Sequence, residues 1–281
     1  MVGSGGRARR FFLLYLPLTL YAIFLLFPFY WMLVVSLRPN QDLFNTKMNP
    51  FFPWNATLDN FKYLFANTAF VEWTKNTVIV TFASTFLSLF CSILIGYALG
   101  RLRFKGANFM GITIFLAYLV PPTLLFLPLA QVIANFHLYN TYWALIFTYP
   151  TFLIPFGGWI LMGYFRTIPH ELEECAMIDG ASRLRAMWSI VMPLAIPGIL
   201  SAGIFSFTLS WNEFLYALIF MGSGSMKTIP VGTVSDLIRA DVYQWGSLMA
   251  AALLGSIPVA VIYSFFVENY VSGLTAGAVK G

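Results

Sequence analysis

The segment Gly222-Ser223-Gly224-Ser225-Met226-Lys227-Thr228 has the outline of a loop that cradles a nucleotide phosphate. That chemistry needs a glycine just before the lysine and a strand–loop–helix unit around it. Met226 occupies the glycine position and no such unit surrounds it, so the segment reads as a flexible loop. His137 and His170 fall in different loops on opposite sides of the chain's layout, and Cys91 and Cys175 lack metal-type or disulfide spacing. Both cysteines read as small packing residues. Asn55-Ala56-Thr57 fits a glycosylation sequon, a triplet common by chance. No nucleophile stands with a base, so neither catalysis nor a cofactor or metal of its own is expected. What remains is a group of carboxylates in one polar segment, Glu171, Glu173, Glu174 and Asp179, closed by Gly180. Carboxylates on a short helix do docking chemistry: they meet basic or polar groups on a partner.

The elements that must position this segment are membrane spans. The 281 residues are 59% hydrophobic and only 10% charged, with a mean hydropathy of +0.77. Soluble domains carry about a quarter charged residues, so this chain cannot cover itself with a water-compatible surface. A hydrocarbon core about 30 Å thick takes about 20 apolar residues per helix. Runs of that kind lie near 11–36, 76–100, 108–134, 142–165, 198–220 and 246–270. The fold expected is therefore an all-α membrane protein with about six transmembrane helices. Residues 1–75 form an N-terminal tail, first span and external loop, and residues 76–281 a core that carries the polar loop 166–197. The first apolar run exceeds a signal peptide's core of about 7–15 residues and reads as a retained span.

The net charge of +5 does not indicate nucleic acid, because the basic residues lie in short gaps between apolar runs. There they orient the protein. With the N-terminus cytoplasmic, Arg7, Arg9, Arg10, Arg101, Arg103, Lys105, Arg166, Arg183, Arg185 and Lys280 face inward. Arg38, Lys47, Lys62, Lys75, Lys227 and Arg239 face outward, so both termini are expected in the cytoplasm. The external loop 37–75 is dense in aromatics, which suits a surface on the bilayer interface or on a partner. Pro17 and Pro28, then Pro121, Pro122 and Pro128, then Pro150 and Pro155 predict kinks or unwound turns in the first, third and fourth spans. In a helix bundle such breaks face protein or a cavity.

Within 166–197, Pro169 suits the first turn of a helix, and Glu171, Glu173 and Glu174 suit the positive end of its dipole. Leu172, Cys175 and Ala176 fall on one face of that helix. Gly180 can take the left-handed conformation that ends a helix, and Ser182 can cap a second short one carrying Arg183, Arg185, Trp188 and Ile190. Pro193 and Pro197 then redirect the chain into the fifth span.

Glu174, Ala176, Gly180, Ile190 and Pro193 stand at the separations of a known motif, with Cys175 and Met192 as mild departures. The segment resembles the EAA loop of binding-protein-dependent ABC importer permeases: Glu-Ala-Ala, three residues, Gly, nine residues, Ile-x-Leu-Pro. Asp179-Gly180-Ala181, Trp211-Asn212-Glu213 and the ending Gly273-Leu274-Thr275-Ala276-Gly277-Ala278-Val279-Lys280-Gly281 are similar to the carbohydrate branch, and the chain most resembles its MalG-type permeases. The resemblance implies a type I (MetI-like) permease bundle in a bacterial cytoplasmic membrane. It also implies that the loop is a coupling helix seated on a cytosolic ATPase, with Glu173, Glu174, Cys175, Ala176, Asp179 and Gly180 in that contact. The implied partners are a second homologous permease, two ATPase subunits that bind ATP and Mg, an external solute-binding protein, a sugar and membrane lipid. A self-sufficient secondary transporter is the rival reading, weakened by the lack of midplane ion-coupling carboxylates other than Glu213.

Ionisable groups inside spans are costly and face a cavity or partner. Glu213, beside Asn212 and Trp211, is either a residue of the solute path or a bond to another helix or to the binding protein. Gln131, Asn135, Tyr118 and Tyr149 are further path candidates, and Trp143, Trp159 and Tyr216 are possible sugar-stacking rings. Glu268 near the inner end of the sixth span reads as snorkelling to the interface. The spans show no obvious buried Lys or Arg, which favours a neutral, hydroxyl-rich solute.

Overall fold

A computed structural model describes residues 9–102, 104–239 and 242–275, with the backbone alone for 239, 242–243 and 267–275. Arg7, Arg103, Lys280, the end of the terminal run from residue 276 onward and the side chains of Arg239 and Glu268 lie outside the described residues.

Among the described residues, four stretches are long and apolar enough to cross a membrane singly: α1 (Phe11–Ser36), α3 (Phe70–Arg101), Tyr142–Thr167 and the start of the last helix, Trp245–Phe266. Counting two bent helix pairs as one span each brings the total to six. Between α1 and α3 lies the short α2 (Asp59–Asn67). The first bent pair is α4 (Ala107–Tyr118) and α5 (Pro122–Asn135), which meet at 93°. Pro122 accounts for the bend, because the residue before a proline is driven out of the helical region, and Pro121 indeed sits extended at φ −58°, ψ 128°. The stretch Tyr142–Thr167 comprises α6 (Tyr142–Thr148) and α7 (Pro150–Thr167), joined at Tyr149, whose backbone stays helical (φ −58°, ψ −38°). Next come α8 (Glu171–Ile178) and α9 (Arg183–Leu194), the latter with a π-helical turn over Met187–Val191. At Ala195 the chain bends by 76° into α10 (Ile196–Trp211), flanked by Pro193 and Pro197 as expected.

The fifth apolar run is not one helix. α10 stops at Trp211, and the chain restarts as α11 (Leu215–Phe220). Then follow α12 (Ile229–Leu237), a minimal antiparallel ladder of β1 (Ile238–Arg239) with β2 (Val242–Tyr243), and α13 (Trp245–Thr275).

The chain divides into two compact units. The first comprises residues 1–70 and 233–256. Its organising side chain is the buried Asn60, whose amide donates to the carbonyls of Ser36 (2.9 Å) and Arg38 (2.7 Å). Ser247 donates back to the Asn60 carbonyl at 3.3 Å, so α2 is tied to the end of α1 and to α13. In the external loop, Phe51 lies edge-on to Trp31 and tilted to Phe27 of α1, and Phe44, Phe51, Phe52 and Trp54 are all exposed.

The second unit, residues 71–232 and 257–281, holds two apolar clusters that share α3. One gathers Val80, Leu145, Tyr149, Leu153, Tyr216 and Phe220 at the α11 end. The other gathers Ile93, Tyr97, Leu161, Phe165, Met187 and Val191 at the α8 end. At 32 residues, α3 is about 48 Å long, more than the bilayer core needs. The loop 222–228 is tied rather than free. Trp73 donates to the Gly224 carbonyl (2.9 Å), and Asn76 donates to those of Ser225 (2.8 Å) and Lys227 (2.9 Å).

Helix α3 approaches α7 closely at Gly96. A Cβ there would stand 2.7 Å from the Leu161 Cβ and 2.9 Å from the Met162 backbone nitrogen. Backbone cannot yield as a flexible side chain does, so Gly96→Val should destabilise the second unit by about 2 kcal/mol. A lower melting temperature of the detergent-solubilised chain would register this, and an unchanged one would show the helices are free to part.

Candidate docking helix and membrane cavity

Ile168 precedes Pro169, takes an extended backbone (φ −76°, ψ 128°) and so ends α7. Pro169 lies before the α8 N-cap, His170, and not inside the first helical turn as expected. Glu171, Glu173 and Glu174 do occupy that turn, at the positive end of the helix dipole. At the other end, the Gly180 N–H donates to the Met177 carbonyl (3.1 Å) and the Ala181 N–H to the Ala176 carbonyl (3.0 Å). This is a Schellman cap, and it requires the left-handed backbone that Gly180 adopts at φ +88°. Two residues on, the Ser182 hydroxyl accepts the Arg185 N–H at 3.3 Å and starts α9. α8 and α9 are therefore joined by a tight, doubly capped turn.

Glu174, Cys175, Asp179 and Gly180 are exposed, and Ala176 is half-buried. Glu173 points the other way and is only 5% exposed. Its Oε2 accepts Arg101 Nε at 3.0 Å, and its Oε1 accepts the Tyr97 hydroxyl. Arg101 donates further to the carbonyls of Ile168 (2.6 Å) and Phe165 (3.4 Å) through Nη1, and to that of Pro169 (3.2 Å) through Nη2. The inward face of α8 is thus set by a charge; Leu172, placed on one face with Cys175 and Ala176, is exposed, and so is Cys175, which was expected to pack. A buried carboxylate needs a partner more than a leucine needs cover.

At the opposite end of the second unit, a cavity of about 400 Å³ opens where the spans break, lined by Tyr118, Pro122, Thr123, Phe152, Glu213 and Tyr216 among others. Glu213 lies in the gap between α10 and α11. Its Oε1 accepts the Tyr216 N–H (2.8 Å), and its Oε2 accepts the Ala217 N–H (3.0 Å) and the Tyr149 hydroxyl (2.9 Å). The first two bonds satisfy orphan amides of the α11 start. The third reaches Tyr149, at the α6–α7 junction of the fourth span. Tyr216 then donates its hydroxyl to the Pro122 carbonyl at 2.8 Å, at the break of the third span. Two side chains therefore fasten the gap after Trp211 to the α6–α7 junction at Tyr149 and to the bend at Pro122, beside the cavity.

Residues 92–275 match the family described as the binding-protein-dependent transport system inner membrane component. The chain belongs to that family. It is accordingly a transport subunit of the inner membrane, a permease. It is 37% identical over 270 residues to the inner membrane ABC transporter permease protein YcjP of Escherichia coli, covering 95% of each chain. It is 35% identical over 272 residues to the trehalose/maltose transport system permease protein MalG of Thermococcus litoralis, covering 96% of each. Among solved structures, a chain of a bacterial ABC transporter involved in alginate import superposes with a TM-score of 0.76 at 20% identity, over 94% of this chain and 98% of that one. That match speaks for the fold, a type I permease bundle.

Of the permease's solute-path and ring-stacking candidates from sequence, the cavity lining takes Glu213, Tyr118 and Tyr216. Tyr118 stacks near Phe156, ring centres 4.9 Å apart. Trp211 is buried against Phe207, its ring 5.5 Å away and nearly parallel. Asn212 is exposed and donates to the Thr208 carbonyl at 2.9 Å, closing α10. Gln131 is exposed on α5 and donates to Asn135 of the same helix at 3.1 Å. Thr123 and Phe152 were missed; their signal was adjacency to the proline breaks at Pro122 and Pro150. Arg101 and Tyr97 were missed as well. Arg101 read as a marker of orientation, and the expected lack of buried cations in the spans is corrected by Arg101, the 5% exposed last residue of α3; Arg38, 6% exposed, lies just beyond α1.

Proposed function

We propose that this permease passes the motion of a partner ATPase into uptake of a sugar or oligosaccharide, with α8 as the docking knob. The observation that carries this reading is the two-sided character of α8. Glu173 is locked into the bundle, while Glu174, Cys175, Asp179 and Gly180 project from a rigidly capped turn. The small residues at Ala176 and Gly180 allow close approach, and Glu174 and Asp179 offer charge to a basic or polar groove. In the assembled importer both termini and α8 are cytoplasmic. A second, homologous permease completes the pathway, two ATPase subunits bind ATP and Mg and take one docking helix each, and an external binding protein delivers the solute. Closure of the ATPases carries the docking helices together as rigid bodies and opens the path outward; hydrolysis returns it inward. The sugars in the name of the Thermococcus relative, trehalose and maltose, support a carbohydrate cargo. So does the cavity, whose hydroxyls at Tyr118 and Thr123 and rings at Phe152 and Tyr216 suit a neutral, hydroxyl-rich ring.

Cys175 makes the test direct, since it is exposed on α8 whereas Cys91 lies within α3. A membrane-impermeant maleimide should label Cys175 in inside-out vesicles and not in right-side-out ones. Bound ATPase subunits should protect it. Labelling from the outer face, or full labelling in the assembled complex, would sink the assignment.

A further inference from the structure

Arg101 makes four hydrogen bonds to three separate segments: Glu173 on α8, the carbonyls of Phe165 and Ile168 at the end of α7, and the Pro169 carbonyl in the link between them. It is itself the last residue of α3. One turn earlier on α3, Tyr97 holds the second oxygen of Glu173. The Arg101 and Glu173 side chains are 1% and 7% exposed, and Phe165, Ile168, Met187 and Val191 pack beside Tyr97. We propose that Arg101 and Glu173 form the mechanical joint through which a displacement of α8 is passed to α3 and α7. Arg101 is then a positioning residue for transport. This rests on the reading of α8 as the ATPase-docking helix.

The physical reason is the cost of opening the joint. Separating a buried pair leaves each charge uncompensated in apolar surroundings, so α8 cannot shift without dragging the ends of α3 and α7. A helix held only by its backbone links would swing and dissipate the motion. The consequence travels far because α3 is long. Its opposite end carries Trp73 and Asn76, which hold the loop that follows α11, and Val80, which packs in the cluster containing Tyr149 and Tyr216. One continuous helix thus connects the α8 joint to the elements around the cavity. A surface ion pair would do none of this, being weak and easily exchanged for water.

The test uses the complete transporter, reconstituted with its ATPases, sister permease and binding protein, and reads three quantities: assembly, ATP hydrolysis, and solute taken up per ATP. Two variants are informative. Arg101→Lys keeps a charge near Glu173 and removes the fork that binds the carbonyls. Glu173→Gln keeps shape and an acceptor for Tyr97 and removes the charge. Both should assemble and hydrolyse ATP near the wild-type rate, while uptake per ATP falls about tenfold. Wild-type uptake per ATP in the assembled variants would overturn the proposal. So would a parallel loss of hydrolysis and uptake, which is the signature of lost docking, or failure of both variants to assemble, which would assign the pair to folding alone. If only Arg101→Lys fails to assemble, Glu173→Gln decides. Failure of the docking reading itself looks different: Glu174→Lys would then leave ATPase association untouched.

Discussion

Replacing Glu213 with alanine should lower the stability of the permease by about 3 kcal/mol and abolish most uptake, because three donors lose their acceptor at once. The Tyr216 and Ala217 N–H groups and the Tyr149 hydroxyl all bond to this one carboxylate. Each buried donor left unsatisfied costs about 1–3 kcal/mol, reduced where cavity water can reach it. Loss of the bonds also frees α11 from Tyr149 at the α6–α7 junction, so the wall of the cavity loses its shape. Glu213→Gln keeps one acceptor oxygen and should fall between the two. Tyr149→Phe removes a single bond and should cost about 1 kcal/mol. Melting in detergent, read beside uptake in proteoliposomes, separates this role from direct contact with solute. A residue that only touches the solute would alter the concentration dependence of uptake and leave melting unchanged, so a wild-type melting temperature for Glu213→Ala would defeat the clamp.

The second large effect is expected at Gly180, where valine should weaken ATPase association about tenfold while the bundle melts as before. The left-handed backbone at φ +88° costs a residue with a side chain about 1–2 kcal/mol, and a β-branched one is worst placed to adopt it. No atom lies within 4 Å of a Cβ built there, so crowding plays no part and the penalty is purely one of backbone. The turn relieves it by giving up the Schellman bonds to Met177 and Ala176, which moves the exposed tip formed by Asp179 and Gly180. Asparagine tolerates this conformation better, so Gly180→Asn should bind nearly as well as the native chain. Co-purification of the ATPase with the variants gives the order directly. Equal association of the valine and native forms would show that the tip does not dock.

The features around α8 and α9 were largely open to reading because they are local. Gly180 ends its helix and Ser182 starts the next through bonds that span three to five residues, and such bonds depend on the conformational limits of single residue types. Pro122 announces the 93° bend in the third span for the same reason. The break after Trp211 carries no proline within α10 or α11 other than Pro197 near the α10 start, so the apolar run 198–220 predicts a continuous helix across it. The terminating force there comes from Glu213, and its value depends on Tyr149, sixty-four positions away.

Composition and spacing alone determined that this chain is a bundle of membrane helices with a capped polar turn between the fourth and fifth spans, since apolar run length and backbone capping act within a few residues. They could not decide which carboxylate of that turn looks inward. Glu173 and Glu174 are neighbours of identical chemistry. Only the arrival of Arg101 and Tyr97 from α3, more than seventy residues earlier in the chain, buries the first and leaves the second free to meet a partner. The same holds for the cavity, whose wall is fastened by bonds from Glu213 to the α6–α7 junction and from Tyr216 to the bend at Pro122. A buried charge takes its partner from whatever the folded chain brings within about 3 Å of it, and that proximity exists only once the helices have packed.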